Sequence, residues 1–115
     1  MKLLCILIAV ALIAAVAAPL SDAAISCTAV LHYVTPCKPY VTGGGPIGPC
    51  CSGARSLNAA ARTTSDRQKV CNCLKSETGR GYTQANLKKA EEIPSRCGIN
   101  IPYKISRSTD CAKVR

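Results

Sequence analysis

Three kinds of hydrophobic pattern follow one another along the chain: an unbroken apolar run, then stretches of helical period, then a short alternation of period two. The run from Leu3 to Ala18 follows Met1-Lys2 and gives way to Pro19 and the small-residue end Ser21-Asp22-Ala23. It is shorter than the roughly 20 residues of a membrane-spanning helix, and its flanks are those of a secretory signal peptide cut after Ala23. The chain therefore divides into a signal peptide, 1–23, and one small domain, 24–115.

Helical spacing dominates the next stretch. Val30, Leu31, Val34 and Val41 fall on one face between Cys27 and Val41, interrupted by Pro36 and Pro39, which predicts a kinked or stepped first helix. Gly43-Gly44-Gly45-Pro46 and Gly48-Pro49 form a loop, and Pro49 suits the first turn of a second helix running to about Ala61. Thr63-Thr64-Ser65-Asp66 reads as a capping box opening a third helix, which carries Val70, Cys71, Cys73 and Leu74 and ends near Gly79 and Gly81. A short fourth helix is predicted from Asn86 to Ile93, with Leu87, Ala90 and Ile93 on one face and Pro94 as its stop. Beyond Cys97, Ile99, Ile101, Tyr103 and Ile105 alternate with polar positions, and Pro102 argues against a central strand. The expectation is an extended tail laying one apolar face on a helical bundle.

Composition narrows how that bundle is held. The domain has no Trp and no Phe, so its interior is aliphatic with tyrosines, and its size puts it where a hydrophobic core alone is marginal. Loss of the leader removes Lys2 and Asp22 together and leaves the net charge of +9 unchanged. Such a charge favours anionic surfaces. Its cations are scattered in runs no longer than two, without the stripe and stacking aromatics of a nucleic-acid binder, so acidic lipid or an acidic cell wall is the better partner.

The staples are cysteines. Cys27, Cys37, Cys50, Cys51, Cys71, Cys73, Cys97 and Cys111 follow the order C-x9-C-x12-C-C-x19-C-x-C-x23-C-x13-C, with Cys5 left in the leader. An even set in an exported chain predicts four bridges, drawn from 105 possible pairings. Residues two apart on a helix diverge, so Cys71 and Cys73 reach different neighbours, as do Cys50 and Cys51. Zinc is the rival use of Cys-x-Cys, and a secreted chain whose eight cysteines can all pair argues against it.

The chain resembles the type 1 plant non-specific lipid-transfer proteins over its whole length. The cysteine skeleton is shared with seed albumins and with amylase or trypsin inhibitors, but two pentapeptides narrow it: Thr63-Thr64-Ser65-Asp66-Arg67 and Pro102-Tyr103-Lys104-Ile105-Ser106. The polar Asn72 between Cys71 and Cys73 also suits type 1. The resemblance implies an all-α fold, a four-helix disulfide-stapled bundle with an extended C-terminal tail around a hydrophobic tunnel. It implies bridges Cys27–Cys73, Cys37–Cys50, Cys51–Cys97 and Cys71–Cys111. The segment from Ser76 to Glu92 is more charged than the family's small-residue stretch, a departure that bears on the rim and on specificity.

A tunnel lined by Leu, Ile, Val and Ala offers no hydrogen bonds and suits acyl chains, so fatty acids, phospholipids and lysophospholipids are the expected partners of a monomer that touches membrane surfaces peripherally. Arg67 is the first choice for pairing with a lipid carboxylate or phosphate. Tyr103 is the second, ring to the wall and hydroxyl to the head group. Val34, Leu57, Ala61, Leu74, Ile93, Ile99, Ile101 and Ile105 are the candidate wall, and Tyr40 either sits at an opening or closes the first helix. Asp66 is assigned to the helix cap alone.

The only histidine, His32 beside Tyr33, has no partner recognisable from spacing, and neither a Gly-rich phosphate loop nor a paired-carboxylate motif is present. The expectation is a non-enzyme without cofactor or metal, secreted to the extracellular space of the cell wall. It carries lipids between membranes or to wall and cuticle layers. Two alternatives stand beside it: a cationic antimicrobial protein acting on anionic membranes, and an inhibitor of a digestive hydrolase.

Overall fold

The computed structural model describes residues 24–101, 103, 104 and 106–115, so the leader, Pro102 and Ile105 lie outside the described residues. Helix α1, Cys27–Val34, opens on Ser26, whose hydroxyl accepts from the Ala29 amide at 3.1 Å. Pro36 cannot continue an α-helical ladder, and the chain tightens into a 3-10 turn over Thr35–Cys37 before resuming as α2, Lys38–Gly43. The stepped helix read from the sequence is thus two helices with a 3-10 joint. Gly44, at φ 71°, ends α2 in the left-handed region where a side chain would be strained.

Helix α3, Gly48–Ala60, has Pro49 in its first turn. It crosses α1 so closely that a Cβ on Gly53 would stand 2.0 Å from the Tyr33 carbonyl oxygen, a separation only glycine permits. Helix α4, Thr64–Glu77, is capped by Thr63, whose hydroxyl accepts from the Asp66 amide at 3.0 Å. The reciprocal half of the box is absent: the Asp66 carboxylate accepts instead from the Ile25 amide, 3.5 Å away, and ties the segment before α1 to the start of α4.

Helix α5, Gln84–Arg96, is longer than expected at both ends. A complete capping box of Thr83 and Asn86 starts it two residues early, with bonds of 2.9 and 3.1 Å. At the other end Pro94 lies inside the helix and does not stop it. Its ring removes one ladder donor, but the Cys97 amide donates to Ile93 at 2.9 Å and the Ile99 amide to Pro94 at 2.8 Å. These closures carry the last turn past the proline.

Cysteine bridges join α1 to α4 (Cys27–Cys73), the 3-10 joint to α3 (Cys37–Cys50), α3 to the end of α5 (Cys51–Cys97) and α4 to the tail (Cys71–Cys111). This is the pairing that the resemblance implies, and Cys71 and Cys73 do reach different neighbours. Among the described residues no strand occurs. The tail runs irregularly from Gly98 to a 3-10 turn at Cys111–Lys113.

The core is divided. One cluster gathers Tyr40, Val41 and Ile93 around Cys37, Cys50, Cys51 and Cys97; another joins Val30, Leu57, Ala61, Val70 and Cys73; a third packs Val114 and Tyr103 on the Cys71–Cys111 bridge. A cavity lies among the helices.

Candidate functional site

The cavity has a volume of about 530 Å³, within the range of small-molecule sites. Each element gives it an apolar face: Leu31 and Val34 from α1, Val41 from α2, Ala54 and Leu57 from α3, Val70 and Leu74 from α4, and Leu87, Ala90 and Ile93 from α5. Ala61 closes the α3–α4 corner, and Ile99, Ile101 and Tyr103 supply the tail's side. Asn100 lines the cavity as well, so the apolar positions beyond Cys97 do face inward but the strict alternation of inward and outward positions does not hold. Of the candidate wall, Val34, Leu57, Ala61, Leu74, Ile93, Ile99 and Ile101 all line the cavity, and Ile105 lies outside the described residues.

The lining also includes Leu31, Val41, Ala54, Val70, Leu87 and Ala90, which were not among the candidates. For Leu87 and Ala90 the signal was present, since they share a helical face with Ile93. Tyr40 takes the second of its two assignments: it is buried in the α2 core, outside the lining, with Lys89 Nζ 5.5 Å from its ring centroid. His32 is exposed on α1.

Arg67 lies one turn into α4 and lines the cavity. Its Nε donates to the Arg115 carbonyl at 2.6 Å, Nη1 to the carbonyls of Arg62 at 3.1 Å and Ala61 at 3.4 Å, and Nη2 to the Thr64 hydroxyl at 3.4 Å. The guanidinium is thus held at the corner where α3, α4 and the tail meet. Tyr103 is half-buried on the same cavity. Burial pushes its hydroxyl above the usual tyrosine range, while the Arg67 cation pulls weakly the other way. The two residues singled out from the sequence are brought together.

A second polar group lines the cavity at the other end of α4, where Glu77, Thr78 and Tyr82 reach it. Tyr82 is also raised above its ordinary range, first by burial and then by the neighbouring Glu77 carboxylate. Arg107 Nη2 ties this loop down, donating to the Thr78 carbonyl at 2.9 Å and the Tyr82 carbonyl at 3.4 Å. Among the described residues no group of three or more His, Cys, Asp or Glu side chains is placed to hold a metal ion, and no helix is long and apolar enough to cross a membrane.

Residues 27–111 match the model of the protease inhibitor/seed storage/LTP family. A non-specific lipid-transfer protein 3 of Prunus dulcis is 50% identical over 117 residues, spanning 100% of this chain and 94% of the relative. The structure of non-specific lipid transfer protein 1 from barley, in complex with L-alfa-lysophosphatidylcholine, superposes with a TM-score of 0.71 at 46% identity, covering 79% of this chain and 100% of the barley chain. The wheat non-specific transfer protein complexed with two molecules of phospholipid gives 0.69 at 48% identity, covering 78% and 100%. These relatives are carriers and not enzymes. With the bridges, the two pentapeptides and the hollow core all in place, the chain belongs to the plant non-specific lipid-transfer proteins of the protease inhibitor/seed storage/LTP family.

Proposed function

We propose that this protein binds fatty acids, phospholipids and lysophospholipids in its cavity and transfers them between membranes or to extracellular wall layers. The carrying observation is a predominantly aliphatic lining with Arg67 and Tyr103 together, beside Arg115, at one end. Burying a methylene is worth about 0.8 kcal/mol, so a chain of about sixteen carbons gains on the order of 10 kcal/mol before ordering and association costs. Micromolar affinity follows, with little discrimination among chains. Arg67 carries a head-group carboxylate or phosphate, Tyr103 hydrogen-bonds it, and the aliphatic residues hold the tail. Residues 1–23 act as the export signal, in keeping with a family that is generally extracellular.

The test is transfer of a fluorescent phospholipid between neutral vesicles by the oxidised domain. Arg67→Ala is expected to slow transfer about tenfold, the loss of one charged hydrogen bond, with Arg67→Lys in between and Tyr103→Phe smaller; thermal melting separates lost transfer from lost folding. A folded parent that transfers nothing overturns the carrier reading. Leakage of anionic vesicles in that case favours the membrane-disrupting alternative, which the charge of +9 supports.

A further inference from the structure

We propose that Glu77 gives the cavity a direction, so that it selects chains with an anionic head and a hydrogen-bond donor at the far end. The inference rests on the carrier reading and names its ligand class more closely. Helix α4 presents Arg67 near its start and Glu77 at its end, both in the lining. Their separation of ten positions corresponds to a helical rise of about 15 Å. Opposite charges therefore stand at the two ends of one wall, and the helix dipole reinforces each of them.

Glu77 retains capacity for a ligand. Its side chain is 29% exposed, and the one guanidinium paired with it, Arg80 at 3.5 Å, is 72% exposed and stands outside the lining. A solvent-facing pair of that kind is weak, and a carboxylate accepts about four donors. Tyr82 and Thr78 complete the polar end, on a loop that Arg107 holds in place. Lys38, the lining cation of α2, is exposed and forms no ion pair with Glu77 among the described residues.

The sign of the selectivity is diagnostic. A purely apolar end penalises a terminal hydroxyl, because the group loses water and gains nothing. An end carrying a carboxylate rewards the same hydroxyl with a charged hydrogen bond, and it repels a second carboxylate. The two groups are fixed on one helix, so the reward depends on chain length.

Hexadecanoate, 16-hydroxyhexadecanoate and hexadecanedioate, with their shorter and longer homologues, are titrated against a fluorescent fatty acid bound to the oxidised domain. The ω-hydroxy acid is expected to bind about fivefold tighter than the plain acid at one chain length, with near-equal binding away from it and the diacid weakest. Glu77→Leu is expected to bring the hydroxy-to-plain ratio to one or below, and Glu77→Gln, which keeps a carbonyl acceptor, to leave an intermediate ratio. A ratio of one at every length in the parent, or a ratio unchanged in Glu77→Leu, overturns the proposal while leaving the carrier reading intact. Failure of the parent to bind any of these acids removes both.

Discussion

The helices and the tail wall the same cavity by different means. Each helix closes its own main-chain hydrogen bonds, and bridges then lock helix to helix. Among the described residues the tail has only isolated main-chain turns, and side chains from the helices reach across to its carbonyls. Gln68 Nε2 donates to Ala112 at 3.2 Å and Val114 at 3.0 Å, Lys75 Nζ to Thr109 at 2.8 Å, and Arg67 to Arg115. Arg55 does the same for Cys97, where the tail begins, at 3.0 Å. Three of the chain's cations, Arg55, Arg67 and Lys75, therefore also serve as structural ties. Arg55 and Lys75 remain exposed while they make these ties and Arg67 is partly buried, so the net charge of +9 stays largely available to an anionic surface.

The comparison breaks first at its covalent tie. Cys71–Cys111 closes a loop of 40 residues, for which chain entropy gives about 4 kcal/mol. Replacing both cysteines with serine is expected to lower stability to denaturant by that amount and to weaken lipid binding through loss of the tail wall. Undiminished stability would mean that the side-chain ties suffice alone.

A smaller effect is expected for Gln68→Ala, which removes two hydrogen bonds from α4 to the tail. At about 1 kcal/mol, its clearest sign is faster proteolysis after residue 98 with the helices still protected. Equal protection of tail and helices would show that the tail does not depend on these ties.

The mildest test uses pH. Tyr103 in the tail and Tyr82 before α5 are both raised above 10.0. A raised tyrosine favours the protonated folded state, so its contribution is fully present below pH 10 and is lost as pH rises through the folded value. Tyr103→Phe should flatten this alkaline loss of stability in part and leave the share of Tyr82. Identical alkaline melts would place the coupling elsewhere.

The sequence was most legible where local chemistry decides the structure. The Thr63 cap, the proline joint at Pro36 and the inward placement of Ile99, Ile101 and Tyr103 could all be read from a few residues. Pro94 misled because closure of a helix end depends on which amides find carbonyls beyond it, and Cys97 and Ile99 find them here. Asp66 misled for a related reason: its carboxylate serves the distant Ile25 amide, which no local spacing reveals. The second polar end was only half visible. The charge of the 76–92 segment stands out in the sequence, but that Glu77 and Tyr82 reach the cavity while Lys88 does not is a matter of tertiary placement.

Arg67 is satisfied within the chain by three carbonyls and a hydroxyl. An arriving head group thus exchanges neutral acceptors for a charged one and does not rescue a stranded cation. On departure the carbonyls take the guanidinium back. The carbonyls compete with a head group for the same donors, so release leaves no donor unpaired, which eases departure without weakening the aliphatic grip on the chain. Such a corner favours turnover over storage.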